Sequence, residues 1–448
     1  MSGSFKPIFF FLAFTTSLSQ FGFAQTNILY DLVLTGGRVM DPETKLDAVR
    51  NVGILHNRIA EISTEPLKGK QEINASGLVV APGFIDLHVH GRTNKEQEYQ
   101  LHDGLTTALE LEWGIENLEE WYATRQSKAL INYGASVCWP YERLKAINKY
   151  KEAANKLYET STRGESSIEK LTNALLPAAA EQLTGEEMNK TLENIRSSLA
   201  EGGIGIGVPV GYLPKTNPGE MYRVFELAGE LNALIFTHVR NPDIISIQEV
   251  IADAVLTRAP LHIVHINSMS LGNIQLSLDM VNEAKKKGFD ITTEIYPYTA
   301  ASTGLQSAMF SEGWQERLGI SYGDVQWVAT GERLTEETFK AYRKTGGVVI
   351  MHLMKPEWIR TGMAAPGVII ASDGMPYAPL AHPRTAGTFS RVLGKYVRED
   401  KVIDLNTAIE KMTLLPAKRL EGIAPMMRYK GRIQIGADAD ITIFNPGT

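Results

Sequence analysis

Between Ala81 and Leu393 the chain repeats one pattern: a short, nearly continuous apolar run, then a longer stretch whose apolar residues fall three and four apart. Continuous runs suit strands buried on both faces, and the 3.6-residue period suits amphipathic helices packed outside them. The runs predict strands at Gly83–His90, Thr106–Glu112, Ser136–Trp139, Gly203–Pro209, Leu234–His238, Leu261–His265, Asp290–Pro297, Val348–His352 and Val368–Asp373. The periodic stretches predict helices at Glu165–Glu181, Gly185–Glu201, Pro218–Asn232, Ile245–Arg258, Gly272–Lys287 and Thr335–Lys344. Strands alternating with helices imply a parallel sheet, and this many units favours a (β/α)8 TIM barrel over an open sheet. Nine runs for eight positions make one of them surplus or accessory.

The flanks read differently. From Tyr30 to Val80 short apolar runs alternate with turn signals at Gly36-Gly37 and His56-Asn57, which predicts a small antiparallel sheet. Gly431–Phe444 has the same grammar and completes it from the far end. The predicted fold is therefore α/β: a barrel over 81–393 and a small β-sandwich domain formed from both termini. Residues 25–80 supply its N-terminal part, and 394–448 supply C-terminal helices and the remaining strands. The charged helical segment Lys145–Arg163 reads as a solvated face or a lid.

At the start, Lys6, the apolar run Ile8–Leu18 and the small residues Gly22 and Ala24 before Gln25 form a secretory signal pattern. Its apolar run is shorter than the ~20 residues of a spanning helix. Residues 1–24 are expected to be removed, leaving a periplasmic or secreted protein with no membrane association.

Composition narrows the chemistry. A formal charge of −6, with no Lys/Arg run, argues against nucleic acid as a partner. Cys138 is the single cysteine, so neither a disulfide framework nor a cysteine-rich zinc module can form. Any metal must be held by histidine and carboxylate.

Those residues gather at predicted strand ends, which is where a parallel barrel carries its functional face. His88 and His90 close the first strand, Glu110 and Glu112 the second, and His238, His265 and Asp373 three later ones. Residues i and i+2 of a strand share a face, so His88 and His90 converge, and so do Glu110 and Glu112. Each alone could be an ordinary core or loop residue. So many polar groups at one mouth would bury uncompensated charge without a cation, and imidazole with carboxylate suits zinc or a similar divalent ion. His56, His102 and His262 read as turn, loop and strand-start residues away from that face; His352 and His382 lie nearer it and are candidates for substrate contact.

These residues carry a resemblance. Ala81-Pro82-Gly83-Phe84-Ile85-Asp86-Leu87-His88-Val89-His90, Tyr296-Pro297-Tyr298 with Ser302-Thr303, Ser372-Asp373-Gly374 leading to His382-Pro383-Arg384, and Gly436-Ala437-Asp438-Ala439-Asp440 resemble the metal-dependent amidohydrolase superfamily, within it the N-acyl-D-amino-acid deacylases (D-aminoacylases). The resemblance implies His88 and His90 at one metal position, His238 and His265 at a second, and Asp373 as both ligand and catalytic proton shuttle. It also implies Tyr212 and Arg384 at the substrate's carboxylate or carbonyl, and Tyr296 and Ser302 elsewhere in the pocket. Two positions depart from the family. Its metal-bridging cysteine is replaced by Leu109-Glu110-Leu111-Glu112, where Glu112, nearer the strand end, is the expected bridge; its substrate-binding lysine is replaced by Asn267.

The expected activity is metal-assisted hydrolysis of an amide-type C–N bond in a small molecule carrying a carboxylate, using one or two zinc-like ions. Cyclic amides, isoaspartyl-type dipeptides or lactones are alternatives on the same site, and a barrel that has lost catalysis and only binds is the alternative outside enzymes.

Overall fold

The computed structural model describes Met1 and residues 28–162, 167–213 and 215–448. Apart from Met1, the predicted leader lies outside them. In chain order the first strands are β1 (Leu29–Asp41), β2 (Leu46–Leu55), β3 (Arg58–Ser63), β4 (Lys68–Asn74) and β5 (Val79–Pro82). Next come β6 (Phe84–Asp86), β7 (Leu105–Ile115), β8 (Asn132–Cys138), β9 (Ile206–Pro209), β10 (Ile235–His238), β11 (Leu261–Ile263) and β12 (Ile291–Ile295). The last are β13 (Ala301–Gly304), β14 (Val325–Trp327), β15 (Val348–Met351), β16 (Ile369–Ile370) and β17 (Ile441–Phe444).

Both ends of the chain build one six-stranded sheet in the order β17-β5-β1-β2-β3, with β4 also on β1. It is mixed rather than wholly antiparallel. The long β1 pairs antiparallel with β2, while its other edge takes β4 along Leu29–Thr35 and β5 at Arg38 and Val39, both parallel. From Gly431 to Phe444 only β17 becomes a strand. The preceding residues are held by backbone bonds to the start of β3, such as Gly436 N–H to Ile59 O, and by side chains: Arg432 bonds Glu43 and Glu421, and Asp41 accepts from the Ile433 N–H.

The barrel runs β6-β7-β8-β9-β10-β11-β12-β16, each strand parallel to the next. Its strands are apolar on both faces because the interior and the helix layer each cover one, as Ile206, Val208, Ile235, Phe236, Leu261 and Ile263, all essentially inaccessible, illustrate. Closure comes just beyond the ends of β6 and β16: the His90 N–H donates to Gly374 O (2.7 Å), and Val89 pairs parallel with Gly374. The seam thus passes beside His88, His90 and Asp373.

The surplus run is Val348–His352. As β15 it pairs antiparallel with β13 and β14 in a separate three-stranded sheet, where Ile350 packs on Ala300 and Val328. An apolar run of that length says that a strand is buried but not which sheet buries it.

Capping chemistry sets the helix limits. Pro218–Leu231 starts after Asn217, whose side chain accepts from the Glu220 N–H, and ends at Asn232 in the left-handed conformation. Ile244–Thr257 starts after Asp243 and stops at Arg258 in the same way. The predicted helix at 165–181 is shorter, Ile168–Leu175, followed by a tight turn, Leu176–Ala178, that contains Pro177. With Lys151–Thr162 it forms a helical insertion whose apolar side packs on Tyr141, Leu144 and Trp113. No described helix is long and apolar enough to cross a membrane.

Candidate metal centre

Four histidines and two carboxylates meet at the mouth of the barrel. Their convergence begins with the pleat: Glu110 and Glu112 leave β7 on one face. Past Glu112, Gly114 holds φ +74°, and a Cβ there would stand 2.4 Å from Ser136 O, so a glycine lets β7 lie against β8. On the other side, a Cβ on Gly207 would stand 2.5 Å from Glu112 O; its absence lets β9 press on the backbone that carries Glu112. His265 (φ +31°) and Asp373 (φ +54°) both sit in the left-handed region just beyond their strands. Non-glycine residues there cost of order 1–3 kcal/mol and cluster at functional sites.

Glu112 is the hub. Its Oε2 lies 3.3 Å from His88 Nε2 and 3.2 Å from His90 Nε2, and its Oε1 lies 2.8 Å from His238 Nδ1 and 3.2 Å from His265 Nε2. Asp373 Oδ1 completes the first group, 3.3 Å from His90 Nε2 and 3.6 Å from His88 Nε2. The two imidazole nitrogens are themselves 3.2 Å apart. An ion held tetrahedrally at ~2.0–2.1 Å would set its donors about 3.3–3.4 Å from one another. The five separations among His88, His90, Glu112 and Asp373 therefore have the spacing of a cation's donors.

Electrostatics asks for the same cation. Burial opposes a charge on His88, yet Asp373, Glu294 and Glu112 outweigh it and raise its pKa to about 10. His90 is likewise raised against its burial, by Glu110, Asp373 and Glu112. Glu112 is buried too, but the surrounding imidazoles hold it well below the usual carboxylate range. The cluster wants positive charge at its centre; a divalent ion supplies it and leaves the imidazoles neutral. Glu112 with His238 and His265 forms a second ligand-competent triad that shares one carboxylate with the first.

Each ligand on the β6 side has a support. His90 Nδ1 faces both oxygens of Glu110 at 3.2 Å, and Glu110 is held in turn by Arg92 Nε at 3.3 Å. His88 Nδ1 meets Glu294 Oε1 at 2.6 Å. Asp86 accepts the backbone N–H of both His88 and Ser372 at 3.0 Å, tying the first ligand pair to the strand end that carries Asp373. His262, expected away from the functional face, is buried inside the barrel and bonded to Glu294 at 3.0 Å. Sequence reading missed Glu294, Arg92 and this role of His262. A charged residue at the inward parity of an apolar run, as in Ile291-Thr292-Thr293-Glu294-Ile295, was the available signal.

Above the ligands lies a cavity of about 330 Å³. Trp113, Leu175, Tyr212, Met309, Trp327 and Met351 are among the residues that line it, as is Ser302. Tyr212 Oη sits 3.0 Å from Thr303 Oγ1, and the Ser302 hydroxyl donates to Val349 O. Tyr296 and Arg384 stand behind this wall. The Arg384 guanidinium is fully buried, 2.8 Å from Asp373 Oδ2, bonded to Ser302 O and stacked over the Tyr296 ring. Asn267 turns its amide to Tyr296 O. Neither remaining histidine candidate reaches the cavity: His352 bonds Gln326 on the three-stranded sheet, and His382 bonds Ala300 O.

A parallel eight-stranded barrel with histidine and carboxylate ligands at its mouth is the architecture of the metal-dependent amidohydrolases, and comparison with known proteins extends the likeness over almost the whole chain. It is 28% identical over 443 residues to a D-aminoacylase of Alcaligenes xylosoxydans xylosoxydans, covering 94% of this chain and 89% of the relative. An N-acyl-D-glutamate deacylase of the same organism is 28% identical over 450 residues, covering 93% and 88%. Among solved structures, the N-acyl-D-glutamate deacylase of Bordetella bronchiseptica, complexed with zinc and a phosphonate inhibitor, superposes with a TM-score of 0.77 at 23% identity, over 94% of this chain and 90% of that one. A D-hydantoinase follows at 0.58 and 16%, over 92% and 86%. No family model matches the chain. Over nearly its whole length the chain is thus similar to D-aminoacylases and N-acyl-D-glutamate deacylases.

Proposed function

We propose that this protein hydrolyses amide-type C–N bonds in small molecules with the help of one or two zinc-like ions. The observation that carries the reading is Glu112, whose two oxygens separately face the pairs His88/His90 and His238/His265. His88, His90, Glu112 and Asp373 would hold one ion, and Glu112, His238 and His265 the other. Bound there, a divalent ion supplies Lewis acidity, polarising a carbonyl and lowering the pKa of water toward ~7.

The chain's own groups do the rest. Asp373 takes the proton of the attacking water and returns it to the leaving nitrogen. Arg384 keeps Asp373 ionised and aimed, since its guanidinium holds Oδ2 while Oδ1 faces the ligands. The apolar walls exclude bulk water, which strengthens these charge interactions. Relatives named D-aminoacylase and N-acyl-D-glutamate deacylase favour an N-acyl amino acid as substrate, with its carboxylate near Tyr212 and Ser302 in the cavity wall.

One observation favours a second substrate reading. Among the described residues that line the cavity there is no lysine or arginine, and Glu169 is the only charged one besides the ligand cluster. Amides without a free carboxylate, including cyclic ones, fit that lining. Metal analysis of the purified chain, chelation and zinc re-addition test the metal reading, with activity expected to vanish and return. Matched N-acyl-D-amino acids, their neutral methylamides and cyclic imides then test the substrate; hydrolysis of none of them by the metal-loaded protein would defeat the function.

Export rests on the leader pattern alone. Mass spectrometry of protein made in a bacterial host with an export pathway is expected to find Gln25 as the mature N-terminus in the periplasm, and a retained Met1 would refute it.

A further inference from the structure

One carboxylate beneath the ligands has a more specific task than filling the barrel floor. Glu294, 1% exposed on β12, faces two imidazoles. Its Oε1 lies 2.6 Å from His88 Nδ1 and its Oε2 3.0 Å from His262 Nε2. An ionised carboxylate has no hydrogen to give, so both nitrogens must carry one. With Nδ1 protonated, neutral His88 presents a bare Nε2 to Glu112, His90 and Asp373, the form that can ligate a metal. The column continues downward, because His262 Nδ1 lies 2.7 Å from Thr292 Oγ1. Thr292 and Glu294, two apart on β12, share the inward face.

We infer that Glu294, braced by His262, is the positioning residue for His88: it fixes the ring's tautomer and aims Nε2 at the metal position. This rests on the metal reading above. The carboxylate uses one oxygen on each ring and so joins a ligand on β6's extension to a brace on β11. Asp86 does not duplicate it, since it accepts the His88 backbone N–H and leaves the ring alone.

The test titrates chelator-stripped protein with Zn2+ against a chromophoric competitor and records the visible absorption of the Co2+ form. In Glu294→Gln the amide can turn its NH2 toward Nδ1 and invite the wrong tautomer. Metal Kd is expected to rise ~10–100-fold, with altered Co2+ bands and an unchanged far-UV CD spectrum. Glu294→Asp, which keeps the charge, should recover part of the loss. Wild-type chain that binds metal beside a Glu294→Gln chain of equal Kd and identical Co2+ spectrum overturns the inference alone; wild-type chain that binds no metal overturns the metal reading with it. Should Glu294→Gln fail to fold, His262→Gln decides, with a rise smaller than the ~10–100-fold of a direct support expected for a weakened brace and an unchanged Kd refuting it.

Discussion

Below the four histidines the barrel interior is polar and densely bonded; above them it opens into an apolar cavity. The floor holds Glu294 between His88 and His262, and Glu110 between His90 and Arg92. The roof offers Trp113, Met309, Trp327 and Met351 from the barrel and from segments outside its strands. Buried polar groups are tolerated only when partnered, so a floor of this kind admits one arrangement. An apolar wall has no such requirement and can accept groups that differ in shape. Rigidity is thus concentrated where ligands must not move, and latitude where substrates differ.

That contrast ranks the expected effects of mutation. Glu112→Ala removes the carboxylate common to both triads; bound metal, by atomic absorption, should drop below one ion per chain, and activity should fall beyond the ~10–100-fold that losing a supporting residue costs. Near-normal metal content would show that the floor does not depend on its hub. Asp373→Asn should lower kcat by ~10²–10⁴ in protein reconstituted with zinc. Glu110→Gln, which leaves every ligand in place, should weaken metal binding ~10–100-fold through His90; a competitive titration against wild type reads it.

The roof should respond in specificity instead. Trp327→Ala is expected to reduce kcat/KM about tenfold or more for amides with a bulky apolar group, while an acetyl substrate changes little and metal content not at all. Equal losses on both substrates would erase the distinction between roof and floor. A separate effect, on stability rather than activity, concerns His382, whose pKa burial, together with the nearby Arg384, pushes down from 6.5 to about 3. Between those values the unfolded chain binds more protons than the folded one, so stability is lost as pH falls from 6.5 toward 3. His382→Gln should flatten that part of a plot of urea midpoint against pH.

What could be read along the chain was whatever has a local period. Apolar runs marked the eight barrel strands, and parity put His88 with His90 and Glu110 with Glu112, because alternation is a property of one strand. The caps Asn217 and Asp243 are local in the same sense, because a cap bonds its own next turn. Partners across the fold were not legible. Glu294 stands 206 residues from His88, and nothing in Ile291–Ile295 names its partner. Val348–His352 looked like a barrel strand because burial does not say which sheet supplies it. Arg384 could be picked out as a cation, but its choice of Asp373 over the open cavity depends on where β16 delivers both. The sequence by itself determined the elements and the types of ligand, through short-range sterics and solvation. Only the tertiary structure decided which carboxylate answers which imidazole, because that depends on how the barrel closes.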